Sequence, residues 1–121
     1  MSCESCHHAS FVTSVNAQYD FLSYQTIYPH TDMLLHDMGE GLADHRPDFK
    51  ADGHEWRTPP LWGIGLTFLV GGHQSYLHDG RARSLEEAIM WHGGEGQHSK
   101  EGFSKLSSSD RKALIKYLES L

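Results

Sequence analysis

The sequence predicts a mostly α-helical domain with long irregular loops, and three observations lead there. Ser84-Leu85-Glu86-Glu87 reads as a capping box that opens a helix. Leu114, Ile115, Leu118 and Leu121 recur at helical spacing behind Ser107 and Ser109. The first 83 residues show no sustained period and are punctuated by glycines, prolines and aspartates.

The length, 121 residues, is that of one ordinary domain, expected to span 1–121. Along residues 1–30, Tyr19, Phe21, Tyr24, Ile27 and Tyr28 supply apolar surface without clear periodicity, and Pro29 ends any helix there. Residues 31–46 hold Met33, Leu34, Leu35 and Met38 before Gly39 and Gly41, a short turn-rich or strand-like piece. Residues 44–58 are polar and charged, as an exposed loop is. Thr58-Pro59-Pro60 is placed to open a helix through Leu61, Trp62 and Ile64, since proline is tolerated in a first turn. Gly71-Gly72 ends that stretch, and residues 73–83 form a loop with a turn at Leu77-His78-Asp79-Gly80. The capped helix then runs through Ala88, Ile89, Met90 and Trp91 to a stop at Gly93-Gly94. A third helical segment covers 97–105, and the final helix carries its apolar face to Leu121.

Composition narrows the function classes. The net charge is −6 and half of the ten Lys and Arg lie in the last 22 residues, which excludes a nucleic-acid surface built on clustered cations. No apolar run reaches the ~18 residues of a membrane span, and the longest, Leu61 to Val70, is broken by Gly63 and Gly65. Ten histidines in 121 residues is an excess, and His is the commonest metal ligand and also a haem ligand.

One motif carries specific chemistry. Cys3-Glu4-Ser5-Cys6-His7 has the C-x-x-C-H spacing by which c-type haem is attached: two thiols add across the vinyl groups and the adjacent His ligates iron. Two other readings use the same thiols. A redox disulfide asks for a preceding strand in a βαβ setting, which Met1-Ser2 does not supply. A zinc-binding or haem-free interaction module would use Cys3, Cys6 and nearby His. For a second iron ligand the candidates are Met33, Met38, Met90, His30, His36, His73, His78 and His92.

Longer phrases carry a family resemblance. Trp56-Arg57-Thr58-Pro59-Pro60-Leu61-Trp62-Gly63, Tyr76-Leu77-His78-Asp79-Gly80-Arg81 and Ser84-Leu85-Glu86-Glu87-Ala88-Ile89 resemble the C-terminal haem domain of bacterial di-haem cytochrome c peroxidases and MauG-type enzymes. Leu34-Leu35-His36-Asp37-Met38-Gly39 and Glu87-Ala88-Ile89-Met90-Trp91-His92-Gly93-Gly94-Glu95 are closer to the di-haem oxidoreductase branch, also called thiol oxidoreductases. The likeness covers essentially the whole chain. It implies a c-type cytochrome fold with added loops and one covalent haem c bound by Cys3, Cys6 and His7. It implies His92 as the opposite iron ligand, at the place where the peroxidases carry Met and MauG-type enzymes Tyr, with Met38 as the alternative. Arg57 and Arg81 are expected to pair with haem propionates. The chain starts two residues before Cys3, so it is expected to be a fragment of a longer, exported or periplasmic di-haem protein. The expected partners are an N-terminal haem domain outside this chain, where the peroxidases react with peroxide, and an electron donor, protein or small molecule. The resemblance thus implies an oxidoreductase or peroxidase-like parent in which this domain transfers electrons. Peroxidase activity in this domain alone would need an open side on its iron.

Overall fold

A computed structural model describes all residues, 1–121. It corrects the mostly α-helical, c-type cytochrome expectation. The four α-helices have 5, 7, 8 and 11 residues: α1 (Thr67–Gly71), α2 (Leu85–Trp91), α3 (Gln97–Ser104) and α4 (Ser108–Leu118). Two antiparallel two-stranded sheets precede them, β1 (Phe11–Val12) with β2 (Thr26–Ile27), and β3 (Leu35–Asp37) with β4 (Glu55–Arg57). Single 3-10 turns and irregular chain fill the rest, so no one class dominates. The physical reason lies in residues 1–66, where polar loop residues bond to nearby backbone more readily than they propagate helix.

The proline-opened helix is also absent. Thr58 donates its N–H to the Leu34 carbonyl at 2.9 Å, and its own carbonyl accepts the Thr31 hydroxyl at 2.6 Å. Leu61 N–H reaches the Pro29 carbonyl at 2.9 Å. These bonds hold 58–61 extended, and Pro60 disfavours helical backbone at Pro59. The chain turns at 64–66 and becomes helical only from Thr67.

The later helices follow their caps. Ser84 Oγ accepts the Glu87 N–H at 3.0 Å and Ser107 Oγ accepts that of Asp110 at 3.2 Å. The capping box at Ser84 is only half closed, because the Glu87 carboxylate accepts the N–H of Arg83 instead. Residues 97–104 form α3 as the sequence indicates. Between β4 and α2 the turn at Leu77–Gly80 is closed by a bridge from Tyr76 to Ala82.

The core is thin. Ten of 121 residues are buried, and the apolar ones are Leu42, Tyr76, Ala82, Leu85, Ala88 and Phe103. Tyr76, Ala82, Leu85 and Ala88 cluster under α2, with Ile115 and Leu118 of α4 against them. This cluster fixes α2, and α2 forms one wall of the main cleft.

Candidate functional site

A cleft of about 460 Å³ lies between the N-terminal motif, the β3–β4 sheet, residues 57–64, 75–78 and helices α2 and α3. Its volume is in the range of small-molecule and cofactor sites. Cys3, Cys6, His7, Met38, Arg57 and His92 all line it. Arg81 does not: it pairs with Asp79 at 2.6 Å and lies over the Trp91 ring at 4.8 Å.

The motif forms one helical turn. Cys6 and His7 both donate N–H to the Cys3 carbonyl, at 3.3 and 2.9 Å. The turn docks on α3, where Ser2 N–H meets Ser99 Oγ at 3.4 Å. Gly102 allows this approach, since a Cβ there would come within 2.7 Å of Met1 Cγ. Both thiols are free, Cys3 exposed and Cys6 partly covered. Burial pushes the Cys6 thiol above its ordinary value, against a lowering hydrogen bond from Ser5.

His7 turns its ring inward because Nδ1 meets the His30 carbonyl at 3.0 Å. A carbonyl only accepts, so Nδ1 carries the proton and Nε2 keeps its lone pair. His30 holds that carbonyl in place from a left-handed backbone, φ 53°, with Tyr117 of α4 against its ring at 6.2 Å. Residues this strained persist only where the surroundings over-determine them.

His92 repeats the arrangement from the end of α2. It caps the C-terminus of α2, and Nδ1 donates to the Ala88 carbonyl at 2.9 Å, again leaving Nε2 as the free lone pair. Burial pushes both imidazoles below the ordinary His value, despite the opposing pull of their carbonyl partners. Both are therefore neutral near pH 7, as a ligand nitrogen must be.

Glycines place His92. Gly93 and Gly94 cross the Asp37-Met38-Gly39 segment so closely that a Cβ on Gly94 would overlap the Asp37 carbonyl oxygen. One on Gly93 would stand 2.8 Å from the Met38 carbonyl oxygen. A Cβ on Gly96 would stand 3.1 Å from His92 Cβ and 3.3 Å from Met38 Cε, so Met38 sits beside His92 on the same wall.

The β3–β4 register puts His36 directly opposite Trp56, and both face the cleft. Trp56 stacks on His78 with centroids 3.6 Å apart, and its buried indole N–H has no acceptor. A buried N–H without a partner is costly, so an acceptor on a molecule in the cleft would satisfy it. Arg57 lies at the mouth, and none of the eight ion pairs involves it. His36 Nε2 meets Asp32 at 2.7 Å and Nδ1 meets Glu95 at 2.8 Å. The Glu95 bond raises the His36 pKa, with burial opposing and Asp32 assisting.

Cys6, Asp32 and His36 also stand close enough to share a metal ion. Cys3 is not among the three, however, so the set does not supply the Cys-Cys-His donors of a zinc site built on the motif.

Sequence reasoning missed the Trp56 N–H, the His30 and Ala88 carbonyls and the Asp32–His36–Glu95 triplet. Trp56, His36, Ala88 and Glu95 lie in the phrases that carry the family resemblance and His30 was a candidate ligand, but no signal in the sequence assigned these contacts.

Two histidines that each keep one ring nitrogen unclaimed, two free thiols beside one of them and several apolar side chains thus meet in one cleft of cofactor size. The chain matches the family described as "Di-haem oxidoreductase, putative peroxidase" over residues 1–121, and it belongs to that family. No curated protein and no solved structure matches it.

Proposed function

We propose that this chain is the c-type haem electron-transfer domain of a di-haem oxidoreductase, carrying one covalent haem. Cys3 and Cys6 would hold it through thioether links, and His7 and His92 would supply nitrogen ligands to its iron. The observation that carries the reading is the matched pair of imidazoles on one cleft, each with Nδ1 tied to a backbone carbonyl and Nε2 unclaimed. Such outer hydrogen bonds fix the tautomer and raise ligand basicity.

When bound, haem supplies a one-electron couple. The chain's own residues hold and insulate it. Leu61, Ile64, Leu77 and Ile89 line the cleft and would keep water from the bound group. The Trp56 indole N–H and the Arg57 guanidinium would receive the propionates. Arg81 has its carboxylate in Asp79, which argues for Arg57 over it. Two His ligands would leave the iron without an open position, so peroxide chemistry would fall to another haem, in an N-terminal domain of the parent protein. An electron donor, protein or small molecule, would deliver to this one. No helix is long and apolar enough to cross a membrane. Thioether attachment would proceed after export, so the working compartment would be the periplasm.

The test is production in a periplasm with haem-attachment machinery. A covalent haem mass increment and a c-type α-band on reduction are expected. Their absence overturns the reading. His92→Ala should turn the iron from low to high spin, while Met38→Ala should leave it low spin. The reverse pattern would make Met38 the ligand.

A further inference from the structure

A second donor cluster stands outside the cleft, at the base of the 44–54 loop. Glu40 Oε1 lies 3.1 Å from His45 Nε2, and Oε2 lies 3.0 Å from His54 Nε2. One ligand atom from each residue falls within 4.8 Å of the other two. The two imidazoles stand edge to face, 5.6 Å between centroids. None of the three residues lines the cleft.

We propose that Glu40, His45 and His54 bind a divalent transition-metal ion of the zinc type. Two imidazole nitrogens and one carboxylate are the borderline donors that zinc prefers over the hard-oxygen shells of calcium or magnesium. Three protein ligands leave a fourth position for water. Small rotations of exposed side chains would bring the three donors around one ion at ~2.0–2.2 Å.

The backbone brings the three together by other means. His54 follows Asp52, whose Oδ1 accepts the His54 N–H at 2.8 Å and lies 3.5 Å from Nδ1. With an ion in place of the proton that Nε2 now shares with Glu40, Asp52 would hold the remaining proton on Nδ1, as the usual outer partner of a metal-bound imidazole does. The His54 carbonyl accepts the Met38 N–H at 2.9 Å, which ties the residue to the start of the β3–β4 ladder. Glu40 opens a 3-10 turn anchored by buried Leu42. His45 sits in the left-handed region, φ 56°, where a non-glycine residue is strained. It is held there because Gly53 packs on its backbone, where any Cβ would overlap His45 Cα, and because Asp44 N–H donates to the Gly53 carbonyl at 3.1 Å. The loop therefore presents His45 and His54 side by side across its neck, and a bound ion would clamp that neck shut.

The inference is independent of the haem reading, because it uses none of the cleft residues. The test is zinc titration by calorimetry of chelator-stripped protein, as haem-loaded as it is produced. The wild type should bind one zinc equivalent that the variants lose. His45→Gly suits the left-handed backbone and removes only the ligand, so it should fold normally. His45→Gly, His54→Ala and Glu40→Gln should each weaken that equivalent by more than about 100-fold, well beyond loss of an outer partner. His73→Ala, at another exposed His, should leave it intact. Zinc held by free thiols or cleft histidines would persist in the His45→Gly/His54→Ala double variant. Equal zinc stoichiometry and affinity in that double variant and the wild type would overturn the proposal, as would no binding by either.

Discussion

Replacing Gly94 by Ala tests how His92 is positioned, and the structure supplies its own controls. Gly41 has no neighbour within 4 Å of a built Cβ and no positive φ, so Gly41→Ala should change stability by less than about 0.5 kcal/mol. Gly63 has φ +75° but open space around a Cβ, so Gly63→Ala isolates the backbone penalty, about 1–2 kcal/mol. Gly94 combines φ +48° with overlap of the Asp37 carbonyl and a 2.7 Å approach to Gly39 N. Both partners are backbone, which yields little, so an overpacking term of ~1–3 kcal/mol adds to the first, for a total of about 2–5 kcal/mol. At this chain length that corresponds to a fall in Tm of at least about 6 °C, against roughly 3–6 °C for Gly63→Ala. Urea and thermal unfolding of the three variants measure the ladder. Haem-loaded Gly94→Ala should also show partial high-spin character, since moving residues 93 and 94 moves His92. A Gly94→Ala no less stable than Gly63→Ala would refute the glycine-crossing argument.

Two further outcomes follow from burial and charge. Phe103 is 1% exposed, so Phe103→Ala should lower unfolding free energy by ~3–5 kcal/mol in urea titrations. His36 has its pKa raised above 6.5, chiefly by Glu95, while the hydrogen bonds of Leu34, His36 and Thr58 overcome burial and hold Asp32 at about 2. A raised His pKa contributes stability that is complete below the unfolded value and is lost as pH rises through the folded one. The stability gap between wild type and His36→Gln should therefore be widest between about pH 4 and 6.5 and shrink above that; a gap that grows from pH 7 to 9 contradicts the assignment.

The sequence was legible where a residue type has one dominant use. The C-x-x-C-H turn, the Ser84 and Ser107 caps and the placement of His92 beyond a short helix were all readable: the caps open α2 and α4, and Cys3, Cys6, His7 and His92 line one cleft. The mostly helical class was not, because the signal came from the last forty residues and was extended to the rest. Strands β3 and β4 have three residues each, too short for a period of two to show. Their pairing rests on non-local bonds, and so do the Thr58 ties that cancel the proline-opened helix. The Glu40–His45–His54 cluster escaped for a related reason: its members are 5 and 9 residues apart and meet only because a loop closes through Gly53.

The thin core makes the proposed haem part of the fold as well as of the function, and that can be measured. Met38, Leu61, Ile64, Leu77 and Ile89 line the cleft while only half-buried. Completing the burial of five such side chains, at about 1 kcal/mol each, contributes on the order of 5 kcal/mol. That is comparable with the whole stability of an ordinary small domain. Six buried apolar residues leave little to replace it. The Cys3→Ser/Cys6→Ser double variant, purified free of haem, should therefore melt more than about 10 °C below the loaded protein. It should also unfold with lower cooperativity, because α2 and the N-terminal turn would touch mainly through the cleft. Phe103, Ala82 and Leu85 are buried away from that cleft, so the helical half should keep its far-UV signal longest on heating. A haem-free variant melting within about 2 °C of the loaded protein would mean that the small core suffices alone, and that the cleft contributes function without stability.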